Sequence, residues 1–360
     1  MDKDKVCNEA ACSQECDCGC SGCGSAGTNM ESQFSKEMRD LYESGQTADM
    51  LTACDKALNE NPENSDAYFW RGVVAAVAGN FEQALTDYTS AIERNEKQAA
   101  YYSYRGSAYA MLDDIKNAVL DYSKAILYNP GDWVNYANRG VIYLNNAAYE
   151  HAIDDLSKAI ELEPEDMGAY LHRGDAFTAR NLYSVAIADY NKVLERFPEE
   201  SAALMKRGQA YFELGMNEES LADYNKVVEL EPDNIQAIAI RASIYLGQGK
   251  FDEAVADFTK AIELDPGDAR PYFFRGMAYA ARKSYDEAIA DFTRAIELDS
   301  TNALAYHNKA LCCEILERTG EAIATYKEFL SKADPESPEA KHALERLAVL
   351  VPGEGETKLQ

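Results

Sequence analysis

The chain has 360 residues, and 62 acidic side chains against 35 basic ones give it a formal charge of −27. Such a surplus repels phosphate backbones and anionic headgroups, which argues against nucleic-acid and membrane partners. No apolar run approaches a bilayer span, and the first residues (Met1, Asp2, Lys3) are not those of a secretory leader, so a soluble, cytoplasmic protein is expected.

The first segment, residues 1–30, carries six of the nine cysteines: Cys7, Cys12, Cys16, Cys18, Cys20 and Cys23. Gly and Ser surround them and apolar residues are almost absent, so a flexible head without a core is expected. In a reducing compartment thiols this dense suit a soft metal better than a disulfide framework. The spacing from Cys16 to Cys23 is closer to metallothionein-like C-x-C runs than to a zinc finger or a ferredoxin. Zn, Cu(I) or an Fe–S cluster all remain open as cofactors, as do a thiol redox tail and a segment without function. Met30 offers an alternative start.

From about residue 31 to residue 336 a 34-residue period runs without insertion or deletion. Units begin at 65, 99, 133, 167, 201, 235, 269 and 303. Gly or Ala occupies position eight of each (Gly72, Gly106, Gly140, Gly174, Gly208, Ala242, Gly276, Ala310), and a second small residue follows twelve positions later, from Ala84 to Ala322. Two helices cross closely only where a side chain is nearly absent, so these pairs mark helix crossings. Apolar residues at helical spacing fill two stretches of about thirteen residues per unit, separated by a polar break. Each unit is therefore a helical hairpin that buries its apolar face by stacking on its neighbours. Aromatic residues at positions four and eleven of the first helix and on the second helix, where most of the 23 tyrosines fall, are expected in the core.

Residues 31–64 keep Phe34, Leu41, Gly45, Ala57 and Pro62 in register but place Met38 and Met50 where the small residues belong, as in an imperfect N-terminal cap. Residues 337–350 form one more amphipathic helix, with Ala340, Ala343, Leu344 and Leu347 on one face, which would seal the last hairpin. Residues 351–360 are expected to fray as a disordered tail. Cys54, Cys312 and Cys313 fall at packing positions and are expected as core thiols.

Residues 272–279 (YFFRGMAY) and 285–298 (YDEAIADFTRAIEL) resemble the two helices of the tetratricopeptide repeat almost position for position. The resemblance covers about nine units and implies an all-α, right-handed superhelical solenoid of antiparallel hairpins with a C-terminal capping helix. It also implies protein or peptide partners along a concave face built by the first helices. On this chain that face would hold Phe69, Trp70, Val73, Tyr104, Met111, Asn138, His172, Lys206, Gln209, Phe273, Phe274, Met277 and Asn308. Aromatic and Met side chains in a groove are typical peptide anchors. Some family members clamp the acidic tail of heat-shock chaperones with a lysine-bearing groove; position five here runs Phe69, Ser103, Ala137, Leu171, Met205, Ala239, Phe273 and His307, without lysine, which argues against that partner.

Seven units pair an arginine at position seven (Arg71 to Arg275) with an aspartate at position 23 (Asp87 to Asp291), and the last unit departs at both with Lys309 and Thr325. The joint departure points to an interhelical ladder of Arg–carboxylate forks rather than to a row of arginines awaiting an anion. No phosphate loop, dinucleotide fingerprint or H-E-x-x-H motif occurs, and the four histidines are scattered, so an enzyme is not expected. The leading reading is a non-enzymatic scaffold or adaptor. The alternative is a metal- or redox-handling protein whose head carries the metal and whose repeats dock a client.

Overall fold

The computed structural model describes residues 32–351. All regular structure among them is helical, and it divides into two compact units, one ending at Pro198 and the other beginning at Glu199. The first unit contains α1 (Gln33–Glu43), α2 (Thr47–Glu60), α3 (Ser65–Val77), α4 (Phe81–Arg94), α5 (Ala99–Met111), α6 (Ile115–Tyr128), α7 (Trp133–Asn145), α8 (Tyr149–Leu162), α9 (Met167–Ala179) and α10 (Tyr183–Arg196). The second contains α11 (Ser201–Glu213), α12 (Asn217–Leu230), α13 (Ile235–Gly247), α14 (Phe251–Leu264), α15 (Ala269–Ala281), α16 (Tyr285–Leu298), α17 (Ala303–Ile315), α18 (Thr319–Leu330) and α19 (Pro338–Leu350).

Local chemistry sets the helix limits. An Asn or Asp before most first helices accepts an amide hydrogen bond from the first turn, as Asn64 does from Ala67 and Asp132 from Val134. The first helix then stops on a residue in the left-handed region, with the next amide bonding back five residues. Asn80 N–H reaches the Ala75 carbonyl at 2.9 Å around Gly79, and Ala148 N–H reaches Tyr143 at 2.8 Å around Ala147. Asp113, Ala147, Asn181, Lys283 and Glu317 adopt this conformation without being glycine.

Packing follows the small-residue register. A Cβ added at Gly174 would lie 2.6 Å from the Tyr190 ring, and one at Gly72 would lie 2.7 Å from the Tyr88 ring. The second-helix rings Tyr88, Tyr122, Tyr190, Tyr224, Phe258, Phe292 and Tyr326 are fully enclosed by this approach. In the α11–α12 hairpin the second small residue is Ser220, whose buried hydroxyl donates to the Gly208 carbonyl at 2.8 Å.

At the N-terminal end, Met38, Met50 and Cys54 are buried together, with the Cys54 thiol 3.8 Å from the Met38 sulfur. Burial pushes the Cys54 thiol up to about 12 and the Cys312 thiol to about 11, so neither is a thiolate at neutral pH. Helix α1 also lies against α3. At the C-terminal end, α19 is capped by Ser337 and buries Ala340 and Ala343 against the last hairpin, and Arg346 Nε donates to Glu314 Oε1 at 2.8 Å. Leu344, expected on the buried face, is 55 % exposed. The small Ala residues bring α19 close, and the seam they form leaves Leu344 outside it.

Within each unit most successive first helices touch one another (α3 with α5, α5 with α7, α7 with α9; α13 with α15, α15 with α17), and second helices make no comparable contact with the next second helix. Each unit therefore curves with its first helices on the inner side.

Candidate partner-binding faces

Every first helix from α3 to α15 holds one guanidinium in a fixed setting. Arg139 donates from Nε and Nη2 to the two Asp155 oxygens, both at 2.7 Å, and from Nη1 to the Ser123 hydroxyl of the preceding hairpin, also at 2.7 Å. The rings of Tyr136 and Tyr143, at positions four and eleven, stand 6.0 and 5.9 Å from the guanidinium carbon. Bidentate forks recur at Arg71–Asp87, Arg105–Asp121, Arg173–Asp189, Arg207–Asp223, Arg241–Asp257 and Arg275–Asp291. The third bond to the preceding hairpin recurs from Arg105 to Thr89, Arg173 to Ser157, Arg241 to Asn225 and Arg275 to Thr259. The fork thus closes within a hairpin while Nη1 joins it to the one before. The hydrogen bond to Asp189 holds the Arg173 guanidinium above its ordinary value.

This arrangement corrects the placement of the rings. Most aromatic residues at positions four and eleven are half-buried beside the guanidinium rather than enclosed, Tyr102 and Tyr306 excepted, whereas the second-helix rings at position 24, from Tyr88 to Tyr326, are enclosed. Three of their tyrosine hydroxyls reach position nine of their own first helix. Tyr122 meets Ser107 Oγ at 2.8 Å, Tyr190 donates to Asp175 Oδ1 at 3.0 Å, and Tyr224 approaches Gln209 Oε1 at 3.4 Å. Burial raises the Tyr190 phenol well above its usual range, so it serves as a hydrogen-bonding group and not as an acid. Position nine is polar in these hairpins, whereas Val141 and Met277 occupy it where the second helix carries Leu156 and Phe292. The correspondence is not general: position nine is Val73 with Tyr88, Leu311 with Tyr326 and Ser243 with Phe258, and the buried Tyr88 hydroxyl has no partner among the described residues.

The residues proposed for a groove separate into two groups. Phe69 and Trp70 are each only 7 % exposed, and Val73 and Phe273 are buried as well. Phe69 stacks on Tyr101 at 5.0 Å, Trp70 donates its indole N–H to Ser35 Oγ at 3.2 Å, and Phe273 packs on Phe292 at 5.9 Å. These four are core residues, covered by α1 and α5 in one case and by their own hairpin in the other. Tyr104, Asn138 and His172 are half-buried on the first helices of the first unit, where Met111 is exposed. Lys206, Gln209, Phe274, Met277 and Asn308 are half-buried on those of the second. His172 Nδ1 lies 3.9 Å from Asp175, and Gln209 donates to Glu213 at 2.6 Å.

Apart from the ladder arginines, the first helices α3 to α17 carry scattered charge only, at Asp66, Asp175, Lys206, Glu213, Arg270, Lys309 and Glu314. The acid is concentrated on the second helices, as in α12 (Glu218, Glu219, Glu229) and α14 (Asp252, Glu253, Glu263).

The six cysteines proposed as metal ligands, Cys7 to Cys23, lie outside the described residues. Among the described residues no three His, Cys, Asp or Glu side chains come together as a metal site, and no helix is long and apolar enough to cross a membrane.

Family comparison agrees with the hairpin register. Sequence profiles of the tetratricopeptide repeat match residues 76–132, 138–194, 241–303 and 288–338, and related profiles match 201–234 and 53–86. Among solved structures, the chain is similar to YrrB, described as a tetratricopeptide repeat protein with an unusual peptide-binding site, at 26 % identity over 52 % of this chain and 97 % of that one, with a TM-score of 0.48. It is also similar to MamA, at 26 % identity over 44 % of this chain and 93 % of that one, TM-score 0.43. A tetratricopeptide repeat protein from Parabacteroides merdae aligns at 21 % identity over 78 % of this chain and 99 % of that one, TM-score 0.45. No curated protein sequence matches the chain. With the profiles spanning most of residues 53–338 and each match falling on hairpins built as described, the chain belongs to the tetratricopeptide repeat family.

Proposed function

We propose that this protein is a non-enzymatic adaptor that holds an extended, weakly charged peptide segment of a partner on the inner, first-helix face of each unit, in the cytoplasm. Repeats of this family serve protein–protein interaction in general, and the more specific reading is carried by one observation. The inner faces offer half-buried rings, thioethers and amides (Tyr104 and Asn138 in the first unit, Gln209, Phe274 and Met277 in the second), while the acid is displaced to the second helices. Such side chains bury apolar area and satisfy peptide amides without needing a counter-charge. The ladder arginines, each with its own aspartate, give the face little pull on an anionic tail.

A fluorescence-anisotropy panel of uncharged, acidic and basic peptides tests this. The uncharged set is expected to bind best, and Phe274→Ala/Met277→Ala is expected to weaken binding by about tenfold or more in the second unit. Equal binding by wild type and variant would remove the inner face as the site.

A second reading rests on the six cysteines between Cys7 and Cys23. A soft metal held there would add metal handling to the docking role. Elemental analysis after anaerobic purification, with the full chain compared with residues 30–360, should find near-stoichiometric zinc, copper or iron only in the full chain; metal in neither overturns this second reading and leaves the first intact.

A further inference from the structure

The repeat supplies an internal standard for every surface position, and α6 departs from it by placing two leucines in the outward stripe. The outward stripe of a second helix falls at four equivalent positions. It runs Glu150, Asp154, Lys158 and Glu161 in α8, and in α4 it begins with Glu82 and ends with Glu93. Helices α12, α14 and α16 repeat the acid–Ala–base–Glu order. In α6 the same stripe is Lys116, Leu120, Lys124 and Leu127, without an acid. Leu120 is 54 % exposed and Leu127 67 % exposed. Neither leucine is needed for the hairpin, because Asp154 and Glu161 hold the same places in α8 over the same internal packing.

We propose that the α6 stripe is the centre of a two-fold contact between two copies of this chain. Leucines seven residues apart lie on one line of a helix, so an antiparallel crossing of two α6 helices brings Leu120 of each copy onto Leu127 of the other. The same surface is self-complementary in charge. Within one copy the basic α6 belongs to the hairpin between those of the acid-ended α4 and α8, so helices crossing at an angle carry each lysine-bearing stripe over the acids of the opposite copy. A lone acidic helix from another protein would satisfy the lysines but would also meet the acids of α4 and α8. A second copy brings both signs. The apolar centre is small, so the dimer is a weak one with a marked salt dependence.

Sedimentation equilibrium of the full chain from micromolar to about millimolar concentration tests the proposal, a range that spans weak dimers. Wild type is expected to show a monomer–dimer equilibrium that shifts toward monomer as salt is raised. Leu120→Asp/Leu127→Glu gives α6 the residues α8 already carries, so it should keep the wild-type melting temperature and remain monomeric throughout. Lys116→Glu/Lys124→Glu should weaken the dimer while leaving the leucines in place. A wild type that stays monomeric, a dimer untouched by the leucine variant, or open-ended polymers in place of a closed dimer would each overturn the proposal.

Discussion

Asp189 sits almost wholly inside its hairpin, with 6 % of its side chain exposed, and accepts both bonds of the Arg173 fork at 2.7 and 2.8 Å. Removing one partner of such a pair strands the other without a counter-charge, so Asp189→Ala is expected to destabilise the protein by about 3 kcal/mol, to be measured by urea denaturation. The double replacement Arg173→Met/Asp189→Leu leaves no stranded charge and should cost less than the single one. The small residues make a second prediction at this scale. Alanine gains about 1 kcal/mol over glycine in a helix interior. At Gly106 the new Cβ meets its nearest neighbours at 3.4 Å, whereas at Gly174 it meets the Tyr190 ring at 2.6 Å. Gly106→Ala should therefore be neutral or stabilising, and Gly174→Ala should lower the melting temperature through overpacking of about 1–3 kcal/mol. Equal effects at the two sites would mean that the crossing is looser than these distances imply.

Much of each element was legible in the sequence because the repeat states each rule several times over. Helix limits, small-residue crossings and the Arg–Asp pairing could be read by comparing a position with its equivalents. What escaped was contact set by a departure from the repeat. Phe69 and Trp70 occupy positions that face inward in other hairpins, but α1 lies against α3, and Ser35 and Tyr101 enclose them. Phe273 and His307 are likewise buried in the packing seam, whereas their equivalents Ser103, Leu171 and Met205 are half-buried. Leu344 was misplaced because two apolar faces of α19 are possible from periodicity, and the buried one is selected by the close approach of Ala340 and Ala343.

The same helix carries a pH-sensitive contact. His307 of α17 is buried, with Nε2 3.4 Å from His342 Nδ1 of α19 and its ring against Phe329 and Tyr326 of α18. Burial and then His342 hold its pKa below the ordinary 6.5, with Glu339 opposing. Because the folded state disfavours the proton, the unfolded chain takes it up first. Stability is whole above pH 6.5 and falls as pH drops below that value, by about 1.4 kcal/mol for each unit of depression. Melting curves between pH 8 and 5 should show this loss in wild type. In His307→Phe, which installs the residue found at Phe273, the component should vanish; an unchanged pH dependence would assign it to other groups.

At the scale of the molecule, the acidic surplus differs by helix type. Most second helices face solvent with acid, while first helices are left nearly neutral where each unit curves inward. That segregation follows from the fold and could not be assigned from composition, since a sequence position acquires its side of the curve only once the hairpins stack. It also explains why a strongly acidic chain presents weakly charged first-helix faces.

The most direct test of this account is site-specific photo-crosslinking from a benzophenone residue placed at Met277 on α15 or, as a control, at Glu263 on α14, with a bound peptide present. Adducts from position 277 and none from position 263 are the result expected if the first-helix face holds the partner. Adducts from the second-helix position, with none from the first, would contradict it.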